Sequence, residues 1–348
     1  RADCLGVRNV AIDLAGTGTG KLKTLDFKKF NPSFANPLKV NVKTDKCSAF
    51  ATRVISGVKN CASPMWMQNY LTAVGLRPIS ALVDITNFVM YDLGEPMHAF
   101  DAKELLASSE QPTKLNIVVR RANGGELFKT LDGNERKLDS SMLVIANQEK
   151  TLALAGIMGG EKSGISNETA IVVFEAANFE AACIRKTSTV LGLRTDSSAR
   201  FKKALDPNLC EQALKKAVEL TLQICPKAKL ASNIIDISNF SVNVGPIELP
   251  FDFIVKKLGV EISGKEIARI LASLGFRLKV KKDSWAVMIP SWRATKDISI
   301  AEDLAEEVAR IYGYEKINPT LPKFEAAPPL ENSLRLLENE ALNVLVKE

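Results

Sequence analysis

Apolar positions along the chain switch between two periods. Val7, Val10, Ala11 and Leu14 share one helical face, before a Gly-rich turn and a basic stretch from Lys21 to Lys29. Ser63-Pro64 reads as an N-cap and first-turn pair, Trp66, Tyr70 and Val74 follow at helical spacing, and Gly75 closes that helix. A second helix carries Leu82, Ile85, Val89 and Leu93 in one stripe, with Gly94 after it. The pattern then turns to strands: Ile117 to Val119, Leu127 to Leu131 ending at Asp132-Gly133, Met142 to Ala146, and Ala170 to Phe174. Pro246 and Pro250 bracket an expected linker. Beyond it Ser263 and Glu266 form a capping box, Ile267, Ile270, Leu271 and Leu274 make a buried stripe, and Gly275 ends the helix. Two strands, Phe276 to Val280 and Trp285 to Ile289, flank a Lys281 to Ser284 turn, and a long helix follows from about Ile298 to Tyr312. The class this predicts is α+β: a mixed α/β domain followed by a small winged-helix-like module, a kind of module that often touches nucleic acid.

Composition narrows the picture. At about 100 to 200 residues per domain, 348 residues give two or three domains. Hydrophobic residues at 46% and charged residues at 25% exclude wholesale disorder. No apolar run approaches the roughly 18 to 20 residues that cross a bilayer, and no signal-peptide order opens the chain, so no membrane association is expected and a cytoplasmic protein is. A net charge of +6 permits nucleic-acid contact without demanding it. Six scattered cysteines without a C-x-x-C pair, and a single histidine, argue against structural zinc. Asn167-Glu168-Thr169 is a sequon by chance, since nothing directs secretion. Arg1 at the start, and an apolar-periodic helix from Leu334 to Glu348 without a stop signal, give the appearance of a piece of something larger.

Four segments could carry chemistry, each with a bland alternative. His98, in Gly94-Glu95-Pro96-Met97-His98-Ala99-Phe100-Asp101, follows a helix end where a loop could project it, but a lone histidine is as readily structural. Ala153 to Gly160 is small enough for close backbone approach to a ligand, or is a tight turn between strands. Glu175 ends the apolar strand Ile171 to Phe174, where a carboxylate can face a cleft. Arg194 to Phe201, ending at Asp206-Pro207, is a polar cluster between helical patterns. Gly16 to Lys21 is not a phosphate loop: Ala15 and Leu22 stand where Gly and Ser or Thr are needed, and a helix precedes it.

The order Gly75-Leu76-Arg77-Pro78, Val83-Asp84-Ile85-Thr86-Asn87, Pro96 to Asp101, Gly156 to Gly160, Phe174-Glu175 and Arg194 to Asp206 resembles the editing domain of bacterial phenylalanyl-tRNA synthetase beta subunits. Pro290-Ser291-Trp292-Arg293 and Ile311-Tyr312-Gly313-Tyr314 extend the resemblance to the following module, and Arg1 to Cys4 resembles the end of the domain before. The resemblance implies residues 1–42 as a remnant of a preceding domain, 43–240 as the editing domain, 245–320 as the winged-helix-like module, and 321–348 as the start of a catalytic-like region.

It also implies a hydrolytic site that removes tyrosine misattached to phenylalanine tRNA. An apolar pocket rejects one extra hydroxyl only about a hundredfold, whereas a site that hydrogen-bonds it discriminates by about 10⁴ to 10⁵. By the resemblance, Glu175 accepts the tyrosine hydroxyl, Ala155 and Gly156 line the pocket through their backbone, and Gly159 leaves room beside it. His98 with Thr195, Asn87 and Arg77 holds the terminal adenosine and the ester and orients water. Ser197 stands where relatives commonly carry Ala, which adds a hydroxyl near the pocket. Asp297, Asp303, Glu306 and Glu307 fall where the family shares Mg²⁺ with the alpha subunit; unaided, they read equally as an acidic helix start. The implied assembly has two alpha and two beta subunits, and ATP is used on alpha. The competing readings are a non-catalytic scaffold joining the alpha subunit and tRNA with a decayed editing site, and a DNA-binding regulator built on the last module.

Overall fold

The strand Cys47–Ser56 is buried along almost its whole length and is the centre of the larger part of the molecule, although its sequence carries no period-two alternation. Both its faces are covered, so apolar and small residues fill both, and the alternation that marks a half-exposed strand is lost. In this computed structural model, residues 1–106, 114–161, 163–231, 233–319, 321 and 330–347 are described. They divide into two compact units, Arg1–Tyr312 and Gly313–Glu348.

Within the first unit the strands in chain order are β1 (Leu38–Val42), β2 (Cys47–Ser56), β3 (Met97–Asp101), β4 (Leu115–Arg121), β5 (Leu127–Lys129), β6 (Glu135–Lys137), β7 (Leu143–Ala146), β8 (Thr151–Leu154), β9 (Met158–Gly159), β10 (Ile171–Phe179), β11 (Lys229–Leu230) and β12 (Ile235–Ser238). The helices among them are α1 (Val7–Gly16), α2 (Met65–Ala73), α3 (Ala81–Leu93), α4 (Ala181–Val190), α5 (Asp196–Phe201) and α6 (Leu209–Ile224). One sheet has the order β1-β4-β7-β8-β9, and the other β11-β2-β10-β3 with β12 also on β2. Odd-numbered residues of β10, Val173, Ala177 and Phe179, pack with the first sheet, while Val172, Phe174 and Ala176 pack under α2, α3 and α6. Glu175 shares the parity of the first set and therefore points between the sheets.

The long stripe Leu82, Ile85, Val89 and Leu93 is the buried face of α3, and Gly94 closes it in the left-handed region at φ 85°. On α2 the buried residues are Met67 and Leu71, and Trp66, Tyr70 and Val74 are turned outward. Ser63 does not cap that helix; its hydroxyl donates to buried Asp84 at 2.5 Å, and the Ile79 amide donates to the same carboxylate at 2.8 Å.

The expected linker between Pro246 and Pro250 is instead a strand, β13 (Ile247–Pro250). With β14 (Arg277–Val280) and β15 (Ser284–Met288) it builds a three-stranded antiparallel sheet in the order β13-β15-β14. An edge position needs no inward amide from its final residue, which makes a terminal proline tolerable there. Against this sheet pack α7 (Phe253–Leu258), α8 (Gly264–Ser273) and α9 (Ala301–Tyr312), with Ile267, Ile270, Leu271, Leu304 and Val308 in the core. The α9 helix begins at Ala301 because the Asp303 carboxylate accepts from the Ser299 and Ile300 amides at 2.7 and 3.0 Å.

In the second unit a 3-10 turn, Tyr314–Lys316, and α10 (Ser333–Lys347) are described. Of the expected catalytic-like start, 322–329 and Glu348 lie outside the described residues, as does Thr320 at the end of the preceding expected module.

Candidate active site

A cavity of about 280 Å³ opens between the two sheets, with α3 and α5 at its rim. Asn87, His98, Gly156, Gly159, Glu175, Thr195 and Ser197 all line it, so most of the segments singled out in the sequence converge on one place. Two expected members stand apart. Arg77 is exposed outside the cavity wall, although its neighbour Leu76 is part of that wall. Ala155 is buried behind it, its amide donating to the Leu143 carbonyl at 3.0 Å.

Glu175 does not end a strand. The strand continues through Ala176, Ala177 and Asn178 to Phe179, residues of weak strand preference held between β2 and β3. His98 likewise lies on β3 rather than on a projecting loop, and it is the direct antiparallel partner of Glu175. Side chains of directly opposed residues stand on the same sheet face. The imidazole packs edge-on to Phe100 at 4.4 Å between centroids, and Gly159 is what gives it room. A Cβ at position 159 would lie 2.7 Å from His98 Cε1.

Burial sets the protonation of both. With only 5% of Glu175 exposed, desolvation pushes its carboxyl up to about 8, so it is neutral at pH 7. Desolvation lowers His98 to about 4, so the imidazole is also neutral, and its Nε2 is buried without a hydrogen-bond partner among the described residues. A neutral carboxyl can both donate and accept one hydrogen bond, and a neutral imidazole has one accepting nitrogen. Glu95 is fully buried, and desolvation pushes its carboxyl well above the usual carboxylate range; its Oε1 accepts from the Cys210 thiol at 3.5 Å.

Thr195 caps α5: its hydroxyl accepts from the Ser198 amide at 3.1 Å and donates to the Ile157 carbonyl at 2.9 Å. Ser197 donates to the Gly156 carbonyl at 3.0 Å. The two hydroxyls thus pin the Gly156 to Ile157 turn to α5. Ser197 is a tether to that turn, its proton committed to the Gly156 carbonyl. Apolar walls come from Leu131, Leu154, Phe179 and Phe201 among others; Leu154 and Phe201 lie in segments singled out in the sequence, Phe179 in none. Leu131 adjoins the Asp132-Gly133 turn, which was legible; nothing in the pattern marked the phenylalanines as wall residues.

The four expected magnesium ligands do not converge. Arg293, 2% exposed, is bonded by Asp297 and in bidentate fashion by Glu307 at 2.7 and 2.8 Å. Arg310 joins Glu307 to Asp13 on α1. Burial raises the Glu307 carboxyl, but the Arg293 and Arg310 bonds outweigh it and bring it down to about 2. Asp303 caps α9, Glu306 is exposed, and no group of three or more His, Cys, Asp or Glu among the described residues is arranged to hold a metal. The acidic set as placed does not fit Mg²⁺, because its two most buried members already neutralise arginine.

The chain is similar to known proteins over most of its length. Residues 46–226 match the family model of the B3/4 domain, and 247–314 that of the tRNA synthetase B5 domain. The phenylalanine--tRNA ligase beta subunit of Solibacter usitatus is 43% identical over 301 residues, covering 86% of this chain and 38% of that protein. That of Clostridium acetobutylicum is 39% identical over 349 residues, covering 99% and 43%. The chain belongs to the phenylalanine--tRNA ligase beta-subunit family. It spans about two fifths of the length of these relatives. An N-terminal fragment of the phenylalanyl-tRNA synthetase beta-subunit from Pyrococcus horikoshii is similar at 15% identity and a TM-score of 0.44, covering 90% of this chain and 84% of that one, which is too weak a likeness to bear on the site. The family accounts for the α+β class and both globular segments. Among the described residues no helix is long and apolar enough to cross a membrane.

Proposed function

We propose that the cavity between the sheets hydrolyses tyrosine esterified to the 3′ end of phenylalanine tRNA. The observation that carries this reading is Glu175, a buried and neutral carboxyl in the recess between the sheets, with no hydrogen-bond partner from the protein among the described residues. Such a group is costly to bury unless something bonds it, and a phenol hydroxyl that both donates and accepts is its complement. A phenylalanine ring in the same place would leave that carboxyl unbonded, which is how a polar site rejects the analogue lacking the hydroxyl.

The aromatic ring lies against Leu154 and the edge-packed Phe179 and Phe201, and the ester carbonyl then stands toward the rim. There the His98 imidazole, neutral and with an unbonded Nε2, accepts a hydrogen bond from a water and aims its oxygen at the carbonyl. Water adds, the bond to the ribose oxygen breaks, and free tyrosine and a 3′-hydroxyl leave. With a pKa near 4, His98 orients the water better than it removes its proton. Thr195 and Ser197 support this by fixing the turn that walls the ring, and the terminal nucleoside meets Asn87 on the cavity wall and Arg77, exposed next to Leu76 of that wall. In the complete protein, this site accompanies ATP-dependent aminoacylation on an alpha subunit in an assembly of two alpha and two beta.

The test is deacylation of preformed tyrosyl-tRNA by the complete protein with its alpha partner. Release of tyrosine far above the spontaneous rate supports the reading; release at the spontaneous rate leaves the scaffold reading in its place.

A further inference from the structure

Trp66 and Tyr70 of α2 gather with Phe88 of α3 into a cluster of aromatic rings; Phe88 packs partly against the core, whereas Trp66 and Tyr70 are turned out of it. Their centroids are 5.3 to 6.3 Å apart with interplanar angles of 78 to 88°. Trp66 is 43% exposed and Tyr70 64%, while the core side of α2 is completed by Met67 and Leu71, which are buried. Val74, one turn past Tyr70, continues the outward stripe and is also exposed. Apolar rings held together in water, on a helix whose inner face is already satisfied, mark an interaction surface.

The cluster shares helix α3 with the rim of the cavity. On α3, Asn87 and Met90 line the cavity, and their sequence neighbours Phe88 and Tyr91 line a shallow groove with Tyr70 and Val74. Tyr91 in turn lies 4.4 Å under the Arg200 guanidinium on α5, next to Asp196 of the cavity wall. Two further cations sit beside wall residues in the chain, Arg77 after Leu76 and Arg194 before Thr195. Both are exposed, and neither has an acidic partner among the described residues.

We infer that this aromatic surface is a stacking platform for the single-stranded 3′ end of the tRNA whose terminal ester enters the cavity. The inference rests on the hydrolytic reading of the cavity and names what that reading leaves open, how the nucleotides before the esterified adenosine are held. A chain whose last nucleoside sits at the rim must leave across α3 or α5, and the α3 side offers ring faces. Base stacking on exposed aromatic rings is sequence-tolerant and contributes substantially per base, while free arginines at the rim complement the phosphates. A protein docking here would use the same rings, and the measurements below separate the two.

The experiment uses the complete protein with its alpha partner and two esters, tyrosyl-tRNA and 3′-O-tyrosyl-adenosine, which lacks the preceding nucleotides. Replacing both rings, Trp66→Ala with Tyr70→Ala, should raise KM for tyrosyl-tRNA by about tenfold or more. The same change should leave kcat and the hydrolysis of tyrosyl-adenosine near the unsubstituted values. The pair Trp66→Phe with Tyr70→Phe keeps planar rings and should restore most of the loss. An unchanged KM for tyrosyl-tRNA overturns the platform, as does an equal loss on both esters, or a loss of assembly with KM unchanged. Binding is read separately with an RNA oligonucleotide ending in CCA. It should quench tryptophan fluorescence, and the quench should vanish in Trp66→Phe, which leaves Trp285 and Trp292 in place. Quenching without hydrolysis of either ester would keep the platform and defeat the hydrolytic reading; hydrolysis without quenching would do the reverse.

Discussion

Glu175 and His98 face each other as direct partners across the antiparallel ladder between β10 and β3, one lifted to about 8 and the other lowered to about 4 by the same burial. Both are therefore uncharged at neutral pH. A neutral pair can sit side by side in an apolar recess, whereas a carboxylate and imidazolium there would form an ion pair at a large desolvation cost. The neutrality gives the site a pH signature that does not depend on its substrate.

For Glu175 the folded value is raised above the unfolded one, so its contribution is complete below about 4.5 and is lost as pH rises through about 8. Across that window it should lower stability by about 1.4 kcal/mol per pH unit. Glu175→Gln keeps a neutral, hydrogen-bonding group of the same shape. Urea denaturation between pH 5 and 9 should therefore show a flatter stability profile for Glu175→Gln, with Glu95 left to supply whatever slope remains. Superimposable profiles would show that Glu175 is ionised in the folded protein.

His98 carries the opposite sign. Its folded value is below the unfolded 6.5, so stability present above that value is lost as pH falls toward about 4. His98→Ala removes the contact with Phe100 and should cost about 1 to 3 kcal/mol at pH 7. The gap to the unsubstituted protein should then shrink by about 1.4 kcal/mol per pH unit on acidification from 6.5 to 4. Thermal melts at pH 7 and pH 4.5 would check it; a gap that widens in acid contradicts a buried neutral imidazole.

Much of the site was legible in the sequence, and the misses have physical reasons. The stripe of α3 and the turn at Asp132-Gly133 announce themselves by period and turn chemistry. The central strand Cys47–Ser56 does not, because it is covered on both faces. For the same reason β10 was read as stopping at Phe174 and His98 as lying on a loop: short buried strands held by neighbours from elsewhere in the chain leave no local signal. Most of the residues quoted from the family resemblance fall around one cavity, with Arg77 and Ala155 outside it, and their protonation depends on burial that only the packing reveals. Asp297 and the acidic residues of α9 were assigned to Mg²⁺ by the family resemblance, and neither it nor their spacing could show Arg293 arriving to neutralise two of the four.

Gly159 is predicted to be intolerant of even one methyl. In Gly159→Ala the new Cβ would press on His98 Cε1 at 2.7 Å and turn the imidazole. Tyrosyl-tRNA deacylation should fall by about tenfold or more, as small misplacements of a positioning group do. A Gly159→Ala protein that deacylates normally would detach His98 from the chemistry.

Breaking the Arg293 pair should be far more damaging than removing it. Glu307→Ala leaves a buried guanidinium with Asp297 and, at 3.9 Å, Asp3, and should cost about 3 to 5 kcal/mol. Glu307→Gln with Arg293→Met should recover part of that. Calorimetric titration of the isolated chain with Mg²⁺ should show no stoichiometric binding, and tight one-to-one binding would mean that the carboxylates rearrange to form a complete site.

The central claim is selectivity through Glu175, and the ratio of tyrosyl-tRNA to phenylalanyl-tRNA deacylation by Glu175→Ala, measured beside the unsubstituted protein, tests it most directly. Removing a buried, neutral hydrogen-bonding partner costs about 0.5 to 1.5 kcal/mol, and leaving the phenol unbonded in its place adds about 1 to 3 kcal/mol. The account predicts that the ratio falls by at least about tenfold, through loss on the tyrosyl ester. An unchanged ratio would contradict it.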